Sequence, residues 1–387
     1  MIKVDMTRGK PSEEQLGLSS RMERTGADID PIFQGVDVRN YGLLEGLPAA
    51  REFLGRIADV SADSMIAWGN SSLTLMFLYA RFIADEFRAK HPGRMAKWIA
   101  ITPGYDRHFA ITEELGIELI SVPMGPDGPD VAAIREIISH DDSVIGMWCV
   151  PKHSNPCGTT YSDECVRACA ELPKSGGEFF TIFWDNAYAI HDFQGKAQGL
   201  LPIMPEAQKM GTEGRVAVFC STSKITFAGG GIAGIGLSNE RRARFLKHLN
   251  AMSICSDKVA QLKHVRFFEE PGSLEAHMRR HAELLEPKFQ AVSSAFEEHL
   301  SDIPGVSWSS PRGGYFISLR LPQGTASRVC ARAAEKGISL TKAGSAYPHG
   351  KDPHDGHLRV APSYPSLSEV QYAARMVAEA VREVVGV

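Results

Sequence analysis

Between Met65 and Cys220 short apolar runs alternate with amphipathic stretches, and that alternation leaves few folds open. The runs are Met65-Ile-Ala-Trp68, Lys97 to Ile101, Glu118 to Val122, Val144 to Val150, Phe179 to Trp184 and Val216 to Cys220. Each has the length and near-continuous apolarity of a strand buried on both faces. Leu47 to Val60, Ser72 to Lys90 and Asp163 to Leu172 carry helical patterns around and between them. Strand alternating with helix predicts an α/β fold with a mostly parallel sheet covered on both sides. Beyond Leu274 the style changes. A long amphipathic helix to Leu300 precedes Gly314 to Leu321, a helix near Ala326 to Lys336 and a strand at His357 to Val360. A chain of 387 residues exceeds one ordinary core. The expected division is a large domain over 42–285 and a smaller α+β domain, discontinuous, from 1–41 and 286–387.

Composition excludes several partners. A formal net charge of −4, with Lys and Arg dispersed, gives no footprint for nucleic acid or an anionic membrane. No segment has the apolar length of a signal-peptide core or a membrane span, so a cytoplasmic protein is expected. Seven cysteines without a Cys-x-x-Cys pair read as reduced thiols. Cys165 and Cys169, one helical turn apart, lack the second pair that a metal site would need.

Ligands of open α/β sheets bind beyond the carboxyl ends of the strands, so the residues that follow each run matter most. After Trp68 come Gly69, Asn70, Ser71 and Ser72, then a helix: an ordinary N-cap, or a phosphate cradle of free N–H groups and hydroxyls. After Val150 an Asn155-Pro156 turn offers an amide at a rigid strand end. Asp185 directly follows an apolar run and is either a helix N-cap or a buried carboxylate in need of a cationic partner, with Tyr188 three residues on. Ser221-Thr-Ser-Lys224 ends the last run, ahead of the glycine-rich Gly229 to Gly234. A lysine there is either solvated or presented to an aldehyde. Phosphate seat, amide, phenol, carboxylate and amine together suit pyridoxal 5'-phosphate.

With these residues the chain resembles the fold-type I pyridoxal-phosphate aminotransferases, in the aspartate-aminotransferase-like subgroup related to MocR-type effector domains. The resemblance covers nearly the whole chain. Its motifs are Ser154-Asn-Pro-Cys-Gly158, Asp185-Asn-Ala-Tyr188, Ser221-Thr-Ser-Lys224, Gly313-Gly-Tyr-Phe316 and Leu358-Arg-Val-Ala-Pro362, in the family's order. It implies a seven-stranded, mostly parallel sheet and a homodimer with a shared active site. Lys224 would carry the cofactor as a Schiff base and Asp185 would hold the pyridine nitrogen protonated. Asn155 and Tyr188 would bind the ring oxygen, and Tyr105 would stack on the ring. Asn70, Ser71, Ser72 and Ser221 match phosphate positions, and Tyr41 matches the tyrosine that reaches the neighbouring subunit's phosphate. Arg359 matches the substrate-carboxylate clamp, with Asn155 and Gly9 also on the substrate side.

The match departs from the family at one position, where Gly231 stands for the usual phosphate arginine. The implied reaction moves the amino group of an L-amino acid, aspartate or another dicarboxylic donor, to a 2-oxo acid such as 2-oxoglutarate by a ping-pong mechanism. Alternatives are a lyase or decarboxylase on the same scaffold, or a non-catalytic sensing module. For the donor's distal carboxylate the cations Arg8, Lys10, Arg39, Arg107, His108 and Lys351 are all open. Gly229-Gly-Gly231-Ile-Ala-Gly234 fits a dinucleotide fingerprint only formally, since it opens no first βαβ unit. His349, His354 and His357, with Asp352 and Asp355, read as a polar loop near the substrate entrance rather than a metal site.

Overall fold

The computed structural model describes residues 2–24, 30–193 and 199–386. Its main sheet runs in the order Met65–Ala67, Ala233–Gly236, Val216–Ser221, Thr181–Asp185, Val144–Cys149, Lys97–Thr102, Glu118–Gly125 and Gly128–Pro129. From Val216–Ser221 out to Glu118–Gly125 all pairings are parallel. Continuous apolarity is explained by burial on both faces: Trp98, Ile99, Met147, Ile182 and Phe183 are shielded whichever way they point. One face carries an aliphatic-rich layer with Leu54 and Ile57. The other carries an aromatic layer in which Phe183 stacks on Phe219 at 5.1 Å between centroids. An eighth strand joins the seven expected, a two-residue return of Gly128–Pro129 on Met124–Gly125 at the outer edge.

The strand that the sequence concealed is Ala233–Gly236, the tail of the glycine-rich run. It pairs antiparallel with both Val216–Ser221 and Met65–Ala67. Bare Cα atoms let it in. A Cβ at Gly234 would meet Met65 Sδ at 2.6 Å, and one at Gly236 would meet Val60 Cγ1 at 2.8 Å. Because this strand alone reverses among the seven, the carboxyl ends of Met65–Ala67, Lys97–Thr102, Val144–Cys149, Thr181–Asp185 and Val216–Ser221 open on the same edge.

A second layer forms around the Ser273–Leu300 and Leu367–Val385 helices. Ser307–Trp308, Ile317–Arg320 and His357–Val360 make a small antiparallel sheet, and the N-terminal Val4–Met6 pairs in parallel with Ile338–Leu340. Ala361 N donates to Met6 O at 3.3 Å, which carries Thr7 to the end of the strand bearing Arg359. His357 does not belong to a polar loop. It lies inside its strand against Ser318 Oγ at 2.9 Å, and burial pushes it down to about 4. Among the described residues no group of three or more His, Cys, Asp or Glu could hold a metal, and no helix is long and apolar enough to cross a membrane.

Candidate active site

One cleft collects the strand ends. Ser71, Ser72, Leu73, Met76, Tyr105, Val150, Asn155, Asp185, Ala187, Tyr188, Ser221, Ser223 and Lys224 form its walls. The chain thereby brings together Ser71, Ser72, Tyr105, Asn155, Asp185, Tyr188, Ser221 and Lys224 from the sequence candidates. Ser223, which the sequence reading passed over, joins them and accepts a hydrogen bond from Ser221 Oγ at 3.1 Å.

Lys224 sits in the turn after Val216–Ser221, half-buried, with Nζ 4.8 Å from the centroid of the Tyr188 ring. Among the described residues its amine meets no hydrogen-bond acceptor. Lys152, Lys258 and Lys288, all more buried, each donate to protein oxygens. Desolvation lowers the Lys224 pKa, and the Asp185 charge opposes that shift. Folding therefore disfavours the protonated amine. The penalty is full below the folded pKa and disappears as pH rises to the ordinary value of 10.5. Cofactor-free Lys224→Met protein should thus melt above the cofactor-free wild type at neutral pH, with the gap closing toward pH 10.5. A gap that stays constant across a calorimetric pH series would contradict this.

Asp185 closes the Thr181–Asp185 strand and is 2% exposed. The residues after it form turns, so it caps no helix. Its Oδ2 lies 3.1 Å from His108 Nε2, while Oδ1 is buried with no partner among the described residues. A buried carboxylate oxygen without a donor is costly and marks where a ligand N–H belongs. His108 in turn stacks on Trp148, centroids 4.5 Å apart at 17°. It is therefore not a cation for a distal substrate carboxylate, since its ring is spent on Asp185. The spacing carried this signal: Tyr105 and His108 are three residues apart at the start of the Asp106–Glu114 helix and share a face.

Ser71 caps the Ser72–Lys90 helix by position, yet its side chain makes no capping bond. The first-turn N–H groups are left for an anion, aided by the helix dipole. Asn70 is exposed and outside the cleft, its Nδ2 3.4 Å from Gly229 O. At Gly231 a Cβ would stand 2.9 Å from Phe227 O and 3.0 Å from Thr222 Oγ1. Tyr105 leans edge-on against His108 at 4.9 Å, and burial pushes its phenol up to about 12. Tyr188 is buried, and desolvation raises its pKa well above the ordinary value.

Arg359 lies just outside the cleft walls and is 6% exposed. Its Nη1 donates to Asn155 Oδ1 at 3.1 Å and to Asp106 Oδ1 at 3.0 Å. Its Nη2 reaches Thr341 Oγ1 at 3.3 Å and Thr7 O at 3.5 Å, and Nε is buried without a partner. The sequence reading missed Asp106, Thr7 and Thr341 around this guanidinium. Gly9 abuts Phe316 so closely that any Cβ would overlap the ring, and Phe316 also lies under the guanidinium at 4.9 Å. Tyr41 is not part of the cleft wall on this chain and is 76% exposed. Its loop is nevertheless fixed, because Lys258 Nζ donates to Asn40 O and Gly42 O at 2.7 and 2.9 Å.

The chain is similar to known proteins along almost its whole length. The aspartate amino-transferase family model matches residues 1–385. A protein of Mycolicibacterium smegmatis that carries an aminotransferase name is 42% identical over 380 residues, 96% of this chain and 89% of its own. The aspartate aminotransferase of Corynebacterium glutamicum is 39% identical over 386 residues, 98% of this chain and 89% of its own. The crystal structure of an aspartate transaminase from that organism superposes with a TM-score of 0.94 at 39% identity, covering 99% of this chain and 92% of the other. Matched along almost its whole length, the chain belongs to the aspartate amino-transferase family and is an aminotransferase of the fold-type I architecture.

Proposed function

We propose that this chain is a pyridoxal-phosphate-dependent aminotransferase whose donor is aspartate or another dicarboxylic L-amino acid and whose acceptor is a 2-oxo acid such as 2-oxoglutarate. The observation that carries the reading is the unpartnered Asp185 Oδ1, facing the same cleft as the Lys224 amine and the uncapped start of the Ser72–Lys90 helix. These groups fit the cofactor. Bound there, it would supply an aldehyde for the amine and an electron-withdrawing ring that stabilises a carbanion.

Lys224 would hold the cofactor, and its Nζ is the group that would take up and pass on the proton of the substrate α-carbon. Its lowered pKa leaves more free amine for that task. Asp185 would face the ring nitrogen, and His108 braces its other carboxylate oxygen. Asn155 and Tyr188 address the ring oxygen, and Tyr105 covers a ring face. Ser71, Ser72, Ser221 and Ser223 hold the phosphate, with Asn70 bracing the Gly229 loop behind them. Arg359 takes the substrate α-carboxylate, which must share the guanidinium with Asp106. Two half-reactions at one site give ping-pong kinetics. Tyr41, exposed on a fixed loop, reaches the phosphate of a second copy in a homodimer. The shared motif order also supports kinship with MocR-type effector domains.

For the distal carboxylate Arg8 is the best placed cation. Thr7 on one side of it touches Arg359, and Gly9 on the other abuts Phe316. Lys10 is paired with Asp5 at 3.7 Å and lies over Tyr364, and Arg39 is paired with Asp37. Lys351 and Arg107 are exposed outside this segment. The test is stopped-flow loss of cofactor absorbance with aspartate, glutamate, alanine and phenylalanine. Aspartate or glutamate should react fastest, and Arg8→Gln should raise KM for these two by roughly tenfold, the worth of one charge-assisted hydrogen bond. Alanine should be unaffected. Fastest reaction with phenylalanine or alanine would end the dicarboxylate reading.

A further inference from the structure

Behind the cleft a buried polar chain connects the N-terminal segment to the backbone of Lys224. It begins at Gln15, which is fully buried. Gln15 closes a capping box on the Glu13–Gly17 helix: its Oε1 accepts from Ser12 N at 3.1 Å. With the carbonyl oxygen so engaged, the amide NH2 must face the other way and has two protons to place. One goes to Tyr315 Oη at 3.0 Å, the other to His281 Nδ1 at 2.9 Å.

The tyrosine branch ends on the lysine turn. Tyr315 Oη, having accepted from Gln15, donates to Lys224 O at 3.3 Å, and His191 Nε2 faces the same oxygen at 3.3 Å. His281, accepting at Nδ1, carries its proton on Nε2, which lies 3.1 Å from His277 Nε2. His277 Nε2 in turn lies 2.7 Å from Ile225 O. Gln15 thus fixes the tautomer of His281, and the proton on its Nε2 makes His277 Nε2 the acceptor, which leaves a neutral His277 no Nε2 proton for the Ile225 carbonyl. Burial and His277 push His281 down to about 3, so the pair stays neutral.

The same segment reaches the substrate side. Thr7 O accepts from Arg359, Gly9 abuts Phe316 and Lys10 O accepts from Ser363 Oγ at 3.0 Å. Residues 7–15 therefore touch the carboxylate clamp at one end and, through Gln15, the lysine turn at the other.

We propose that Gln15 is a positioning residue for Lys224: by fixing Tyr315 it holds the Lys224 carbonyl, so the amine is aimed only when the N-terminal segment is docked. The kinetic part of this inference rests on Lys224 being the reactive lysine; the backbone part does not.

Two variants test it, Gln15→Leu, which deletes both donors at similar volume, and Tyr315→Phe, which removes one oxygen. Hydrogen–deuterium exchange on the cofactor-free protein should show the amides of residues 222–226 exchanging roughly tenfold faster in both, the scale of one lost buried hydrogen bond. The 144–149 strand should stay unchanged. In the cofactor-loaded enzyme kcat should fall about tenfold with KM for the amino donor within about twofold. Unchanged exchange at 222–226 in Tyr315→Phe would overturn the proposal, as would a raised KM with kcat intact, because the segment would then only seat substrate. If Gln15→Leu does not fold, Tyr315→Phe decides alone. Faster exchange in a protein inactive with every donor would support the positioning role while removing the aminotransferase reading.

Discussion

Replacing Lys224 by alanine should lower kcat by roughly 10^4-fold or more, because one amine serves both as attachment point and as proton carrier. The cofactor would then bind without a covalent link. Borohydride reduction followed by peptide mass spectrometry should label Lys224 in the wild type and no lysine in the variant. The structure explains why no substitute is at hand. Lys152 donates to Asp192 and Ala189 O, Lys258 holds the Tyr41 loop, and Lys288 is tied to Ser363 O. Turnover retained within about tenfold, or a label on any of these, would remove Lys224 from the centre of the reaction.

The second large effect is expected at Asp185. Asparagine keeps the shape and a partner for His108 but removes the charge facing the cleft. A buried charge pair broken on one side costs about 3–5 kcal/mol, which is roughly 10^2- to 10^4-fold in kcat/KM. The loss should appear in kcat and in cofactor affinity together, measurable by steady-state kinetics and by fluorescence titration of the cofactor-free protein. Activity within about fivefold of wild type would mean that the site does not rely on a negative charge at this position. His108→Phe would then be uninformative, since its role is to hold a carboxylate.

Legibility of the sequence followed physical rules of thumb unevenly. Doubly buried parallel strands announce themselves as apolar runs, and each of the six expected runs is a strand, with ends displaced by a few residues at most. The Ala233–Gly236 strand was hidden because its glycines exist to let Met65 and Val60 approach, and a strand selected for small size carries no apolar signature. Residues at strand ends were legible for the same reason that the sheet was: position along an alternating pattern fixes which side chains meet. Residues that act from behind were not. His108 stood among the open cations for a distal carboxylate until the stack on Trp148 and the contact with Asp185 were visible. Gln15, three residues into a capping motif, gives no hint that its amide ends beside Tyr315, some 300 positions away in the chain.

Asp106 illustrates a further limit. Sequence placed it beside Tyr105 but could not reveal that it pairs with Arg359, because that contact joins the Asp106–Glu114 helix to a strand from the far end of the chain. A substrate carboxylate must therefore compete for a guanidinium that already has an anionic partner.

The crowding at Gly231 bears on how the proposed phosphate seat responds to its surroundings. With backbone and Thr222 filling the space where a side chain would start, the seat is left to serine hydroxyls and peptide N–H groups, and none of these titrates in the working range of an enzyme. Its own charge state is then fixed. Within the seat, the ionisation that remains is the second one of the phosphate ester, at about pH 6. Neutral donors also lack the long reach of a cation, so a seat of this kind acts on the phosphate at contact range, and its dependence on ionic strength comes through the helix dipole.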